Sequence, residues 1–302
     1  MTGSSRPLSW FEASARQRLA ALTDPGSFAE IIGPEQREIS PHLALFDLPE
    51  QFDDGMIIGR ATLGGRPVLV AAQEGRFMGG AFGEVHGAKI TGLLRAATPL
   101  KRDVLVLFDT GGVRLQEANA GELAIGEIMR ALVELRCAGA RVIGLIGGRA
   151  GCYGGGGLIA GCCSTLIVSE QGRISVSGPE VIETNRGVEE FDSRDRAFVW
   201  RTMGGKHRYL IGGADIFVDD EATAFRQAAL TALDRPVRLD LAMLAAEQRR
   251  LERRLQSFGT ARDGTEVWSR LGIAAPADIP GLGTQDFLGT TADKRETADD
   301  AR

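Results

Sequence analysis

The chain has 302 residues, 43% hydrophobic and 25% charged, with a formal net charge of −5; these are the proportions of a globular protein of one or two domains. They exclude a fibre or a wholly disordered chain, and the acidic surplus argues against a dedicated nucleic-acid binder. Glycine departs from the average: 40 Gly accompany only 11 Pro with no G-x-y period, so the glycines must serve turns and close backbone approaches.

The first residues (MTGSSRPLSWFEASARQRLAAL) lack the uninterrupted apolar stretch of a signal peptide, because Glu12, Arg16 and Arg18 break it, and a cytoplasmic location is expected. Residues 1–50 read as an appended helical extension, with a helix from Trp10 to Leu22, and no chemistry is expected there. From Met56, MIIGRATL and RPVLVAAQ flank Gly64-Gly65 and predict a hairpin with a primed turn. The glycine loop 75–80 then delivers a helix that starts after Gly83 and runs to about Ala97.

The pattern recurs twice. DVLVLFD (103–109) is a continuous apolar strand broken by Gly111-Gly112. Ala124, Ile128, Ala131, Leu132 and Leu135 mark one face of the next helix, with Asn119 and Glu122 at capping-box spacing. Arg141 to Ile146 is a third strand, followed by a loop from 147 to 157 with seven glycines, a short helix LIAGCC and the strand STLIVSE. Strand, glycine loop and helix repeating every 35 to 45 residues predict stacked β-β-α turns, an α/β superhelix with buried, near-parallel strands. These turns form a core over residues 51–235.

Beyond the repeats, RISVSG predicts a short strand, Pro179 opens a helical turn, and Asp192 to Met203 reads as a helix. Residues 221–256 read as helical, with Arg249, Arg250, Arg253 and Arg254 forming a solvated or partner-facing cluster. Residues 236–302 thus contribute a C-terminal helix and a tail, GTTADKRETADDAR, expected to be disordered. The run from Ala150 to Ser169 has no formal charge, but six of its residues are glycine and it is too poor in apolar area to span a membrane. Cys137, Cys152, Cys162 and Cys163 form no C-x-x-C pair, so small buried hydrophobes are expected rather than a zinc site.

No G-x-S-x-G nucleophile elbow, G-x-x-x-x-G-K-[ST] phosphate loop or metal-ligand cluster is present, and only three histidines occur. What the chain offers is three glycine loops, each between a buried strand and a helix, where free backbone N–H groups meet a positive helix terminus. Such amides suit an oxyanion. A thioester enolate places its charge on one oxygen, and a preorganised donor there contributes about 3 kcal/mol. The competing reading is that the glycines only allow tight packing.

Four segments carry a family resemblance: FMGGAFGEVHGAK (77–89), DTGGVRLQEAN (109–119), GGRAGCYGGGG (147–157) and HRYLIGGADIFVDD (207–220). Together they resemble the carboxyltransferase branch of the crotonase superfamily, and within it the beta subunits of biotin-independent malonate decarboxylases. The resemblance implies a crotonase-like β-β-α superhelix. It also implies decarboxylation of a malonyl thioester to the acetyl thioester and CO2, on an acyl carrier protein with a dephospho-CoA-derived arm and with no cofactor or metal bound directly. A gamma-type crotonase-fold subunit and an acyl-transferase subunit are the implied partners; no membrane or nucleic acid is.

By the same resemblance, Gly111 and Gly112 match the paired amides for the thioester oxygen, and Gly154 and Gly155 line the same pocket. His86, Glu84, Glu117 and Tyr153 are candidates for returning the proton, directly or through water, each with a capping or supporting role as the alternative. His207 reads as structural. Arg114, Arg149 and Lys89, with the loop at Gly79 and Gly80, are placed to meet the malonyl carboxylate or the arm's phosphates; Arg114 can equally pair with Glu117. Acetyl-CoA carboxylase beta subunits are similar but typically carry a four-cysteine zinc ribbon, whereas no cysteine precedes Cys137 here. A biotin-dependent carboxyltransferase subunit and a non-catalytic scaffold are the alternatives.

Overall fold

The computed structural model describes residues 7–47, 55–117 and 119–295. Its strands are β1 (Ala29–Ile31), β2 (Met56–Leu63), β3 (Arg66–Gln73), β4 (Val104–Phe108), β5 (Val142–Ile146), β6 (Cys152–Tyr153), β7 (Thr165–Ser169), β8 (Ile174–Ser175) and β9 (Ile216–Val218). The helices are α1 (Ala15–Leu22), α2 (Glu84–Leu100), α3 (Asn119–Cys137), α4 (Gly155–Cys162), α5 (Pro179–Arg186), α6 (Arg196–Met203), α7 (Gly205–Leu210), α8 (Ala222–Ala232), α9 (Leu241–Phe258), α10 (Gly264–Arg270) and α11 (Thr284–Thr291).

Seven strands form one sheet in the order β1-β2-β3-β4-β5-β7-β9, antiparallel up to β3 and parallel from there on. The β2-β3 hairpin turns at Gly64 (φ 60°) and Gly65 (φ 74°), two consecutive left-handed residues of the kind a primed turn requires. β4, β5 and β7 are buried at every position, which explains their unbroken apolar sequences. Val104, Val106 and Phe108 point to the α2–α3 side, with Ile90, Leu93, Ile128 and Leu132. Leu105 and Leu107 point to the opposite side, with Trp10, Leu19 and Phe225.

At the ends of the parallel strands a second layer of short parallel pairings begins: Phe82 with Val113, Thr110 with Cys152, and Cys152 with Ile174. Each turn of chain thus runs through a long strand, a short strand and a helix, the β-β-α superhelix expected from the repeats.

Four expectations are corrected. The N-terminal segment is integral rather than appended: Trp10 is fully buried and stacks on Phe225 at 4.2 Å, and β1 extends the sheet. Its helix begins at Ala15, where Ser14 and Gln17 form a capping box. The stretch 221–256 is two helices, because Pro236 falls between them and Asp240 caps α9 by accepting the Met243 N–H. Within α9, Arg250 is buried instead of solvated, pairing with Glu247 and reaching the carbonyls of Ile211 and Gly212. The expected tail is ordered as far as it is described: Thr291 closes α11, Phe287 packs against Tyr209 and Phe217, and Arg295 donates to the carbonyls of Tyr209 and Ala214. Residues 296–302 lie outside the described residues.

The uncharged run 150–169 is divided among β6, α4 and β7, and among the described residues no helix is long and apolar enough to cross a membrane.

Candidate active site

The three glycine loops are joined side by side by backbone hydrogen bonds. Gly111 N–H donates to Gly79 O (2.9 Å), Phe82 N–H to Gly112 O (2.8 Å), Thr110 N–H to Gly151 O (2.8 Å) and Tyr153 N–H to Thr110 O (3.0 Å). Glycine is required where the loops touch. A Cβ on Gly80 would lie 1.7 Å from the Asp109 carbonyl oxygen, and one on Gly154, at φ +58°, would lie 3.1 Å from the Gly112 Cα.

Which amides remain available follows from counting acceptors. The expectation that Gly111 and Gly112 act as a donor pair does not survive: the first donates to Gly79 O, and the second to the Thr110 hydroxyl oxygen at 3.1 Å. The next residue differs. Phe82 engages the Gly112 carbonyl and the Arg114 N–H, so the Val113 N–H between them points away from Phe82, and no acceptor for it is found among the described residues. Across the junction, α4 starts at Gly155 with Gly154 as an N-cap that has no capping side chain, so the first helical N–H groups have neither an intrahelical nor a side-chain acceptor among the described residues. Gly112 and Gly154 approach each other closely, and Val113 and Gly155 each follow one residue further on.

The other candidates divide. Arg114 and Glu117 pair at 3.0 Å with side chains 1% and 0% exposed, so the helix partner, not a substrate carboxylate, takes the guanidinium. Glu117 also accepts the Glu84 N–H at the start of α2, a capping role, while Glu84 itself hydrogen bonds His42 at 2.9 Å. His86 is fully buried with its ring edge on Phe82, and neither ring nitrogen has a partner among the described residues. Burial first, then the charges of Arg114 and Lys89, holds it neutral well below the usual histidine range. Lys89 lines a separate cavity of about 440 Å³ with Ile31, Ile58 and Leu93. Arg149 is half exposed, pairs with Glu12 and lies over the Phe11 ring. Tyr153 contributes its backbone to the junction, but its ring packs with Phe191, Val199 and Met203, and burial pushes its hydroxyl pKa up. Gly79 and Gly80 form the loop beneath Gly111. His207 is buried, as a structural reading expects.

Two charged residues at the base of the site escaped the sequence reading. Asp109, 3% exposed at the end of β4, accepts the Ala150 N–H and the Arg18 guanidinium, both at 2.7 Å. Gly75 and Gly148 are glycine because a Cβ on either would come within 2.7 Å and 2.2 Å of the Asp109 carboxyl carbon. One carboxylate therefore packs against the first and third glycine loops and ties the third to the N-terminal helix. An Asp ending an apolar strand was the available signal; its partner 91 residues away was not visible.

Close in sequence to these loops and to β8, Leu115, Leu158 and Val176 are exposed, at 81%, 43% and 62%. Among the described residues no group of three or more His, Cys, Asp or Glu is placed to hold a metal ion.

A crotonase-like superhelix with its glycine loops gathered at the strand ends defines a carboxyltransferase-type protein. The carboxyl transferase domain matches residues 12–233, and the chain belongs to that family. It is 36% identical over 301 residues to the malonyl-S-ACP:biotin-protein carboxyltransferase MADC of Malonomonas rubra, covering 93% of this chain and 94% of the relative. The crystal structure of a Pseudomonas malonate decarboxylase hetero-tetramer in complex with malonate superposes with a TM-score of 0.80 at 40% identity, over 85% of this chain and 95% of that one. Transcarboxylase 12S is more distant, at 26% identity and a TM-score of 0.64 over 74% of this chain and 41% of that one.

Proposed function

We propose that the chain is the beta-type subunit of a malonate decarboxylase, holding a malonyl thioester while its carboxylate leaves as CO2. The observation that carries this reading is the apposition of Gly112 and Gly154, each followed by a residue, Val113 or Gly155, whose N–H has no acceptor among the described residues. With the thioester oxygen on those two donors, the C–C bond breaks, its electron pair passes into the enolate, and CO2 departs. A proton then returns to the carbon. Each preorganised donor lowers the barrier by about 3 kcal/mol, and cleavage needs no side-chain base. Glu117 is held by Arg114 and the α2 terminus, and His86 is sealed from solvent, so water or a partner residue at the open rim fits the proton's return better than either.

The exposed Leu115, Leu158 and Val176 suit coverage by a gamma-type crotonase-fold subunit, in keeping with the hetero-tetramer of the Pseudomonas relative. The thioester would arrive on an acyl carrier protein with a dephospho-CoA-derived arm, loaded by an acyl-transferase subunit. A second reading, transfer of the carboxyl group to a biotin protein, is favoured by the activity for which the Malonomonas relative is named. Both pass through the same enolate.

Deuterium exchange tests that enolate. In D2O, the complex should exchange the methyl hydrogens of the acetyl thioester without any CO2 present. Methyl groups that stay fully protonated over many turnover times would refute the proposal.

A further inference from the structure

Thr110 opens the second glycine loop, is fully buried and ties that loop to the third through its backbone. Its N–H donates to Gly151 O at 2.8 Å, and its carbonyl accepts the Tyr153 N–H at 3.0 Å. The side chain reaches two further places. Its hydroxyl accepts the Gly112 N–H at 3.1 Å and donates to the Gly112 carbonyl oxygen at 3.3 Å, the i to i+2 pattern of an ST turn. Its methyl lies against the first turn of α4, where a Cβ on Gly156 would come within 2.4 Å of it. A β-branched side chain has few χ1 choices, so one rotamer serves both contacts.

What the hydroxyl fixes is a peptide plane. Gly112 has φ +134° and follows another glycine, so on its side no Cβ limits rotation of the peptide that joins it to Val113. That unit is planar and trans, so its N–H points opposite to its carbonyl, and whatever holds Gly112 O aims the Val113 N–H. Two donors hold that oxygen: the Phe82 N–H at 2.8 Å and the Thr110 hydroxyl. Among the described residues, Thr110 Oγ1 is the one side-chain atom found hydrogen bonded to the backbone of residues 111–113.

We propose that Thr110 is a positioning residue, its hydroxyl setting the direction of the Val113 N–H while its methyl and backbone hold that loop against the third. The inference rests on the reading of Val113 as a donor to the thioester oxygen. It applies whether the carboxyl group leaves as CO2 or is transferred, since both routes pass through the enolate.

Deuterium exchange into the acetyl thioester by the reconstituted complex reads enolate formation on its own, and substitutions at Thr110 separate hydroxyl from methyl. Thr110→Val keeps the branch and loses the hydroxyl; with the peptide free to turn, exchange should slow by about 10²-fold while the apparent KM for the thioester changes by less than about threefold. Thr110→Ser keeps the hydroxyl and should stay within about fivefold of wild type, the worth of one buried methyl. Where the valine variant fails to assemble, Thr110→Cys takes its place; its thiol is a weak donor and acceptor, and exchange should be about tenfold slower than with serine. A side chain that only supported the fold would lower the unfolding midpoint of Thr110→Val and leave exchange by the folded complex unchanged. That result, or equal rates for the serine and cysteine variants, overturns the proposal. A wild-type complex that does not exchange refutes the enolate reading itself and this inference with it, an outcome seen before any variant is compared.

Discussion

Gly154 is the position at which the proposed chemistry and the backbone depend on each other most closely. At φ +58° and ψ −130° it occupies a region that L side chains rarely adopt, so Gly154→Ala should cost on the order of 1–3 kcal/mol in backbone strain. The added methyl would also sit 3.1 Å from the Gly112 Cα, and because that neighbour is backbone, the two loops must separate. Separation re-aims Val113 and Gly155. Since a displacement of about 1 Å commonly costs about 10²-fold and loss of a preorganised donor about 10²- to 10³-fold, kcat should fall at least about 100-fold with a smaller change in KM. Gly161→Ala is the control: it lies in the same helix, is exposed, and an added methyl meets nothing within 4 Å. That variant should keep full activity and gain up to about 1 kcal/mol from helix propensity. Both are assayed as reconstituted complexes on malonyl thioester, with circular dichroism and partner binding checked. A folded, partner-bound Gly154→Ala complex with kcat within about twofold of wild type would refute the assignment of the junction.

Two further outcomes are expected. Asp109→Asn leaves Arg18 buried without its counter-charge, so urea unfolding should show a loss of about 3–5 kcal/mol, and an unchanged midpoint would contradict the tie between helix and loops. His207 titrates at about 3 in the folded chain, against about 6.5 when unfolded. Between those values the unfolded chain binds a proton that the folded chain does not, so stability falls as pH drops from about 6.5 towards 3. His207→Gln should make that part of the stability profile shallower, with buried His86, also held below its usual range, supplying the slope that remains; a variant with the wild-type slope would show that His207 contributes nothing.

The legible parts of the fold are those whose burial leaves a local pattern. β4, β5 and β7 are covered on both faces and read as unbroken apolar runs, and the Gly64-Gly65 pair announces its hairpin. The N-terminal segment was misread because its placement depends on Arg18 meeting Asp109 and on Trp10 meeting Phe225, contacts without a local signature. The closing helix was hidden by polar composition, since Phe287 alone supplies most of its anchoring ring contact. At the junction, glycine spacing located the loops correctly but could not tell which N–H groups were already used. Gly79 O and the Thr110 hydroxyl take those of Gly111 and Gly112, and the proposed donors are instead Val113 and Gly155.

The fate of the malonyl carboxyl carbon tests the central claim most directly. With the thioester labelled at that carbon and the complete complex present, the label should leave as free CO2 at a rate that excess avidin does not change. Label retained on a biotin protein, or turnover abolished by avidin, would contradict the decarboxylase account and make the chain a carboxyltransferase that uses the same enolate.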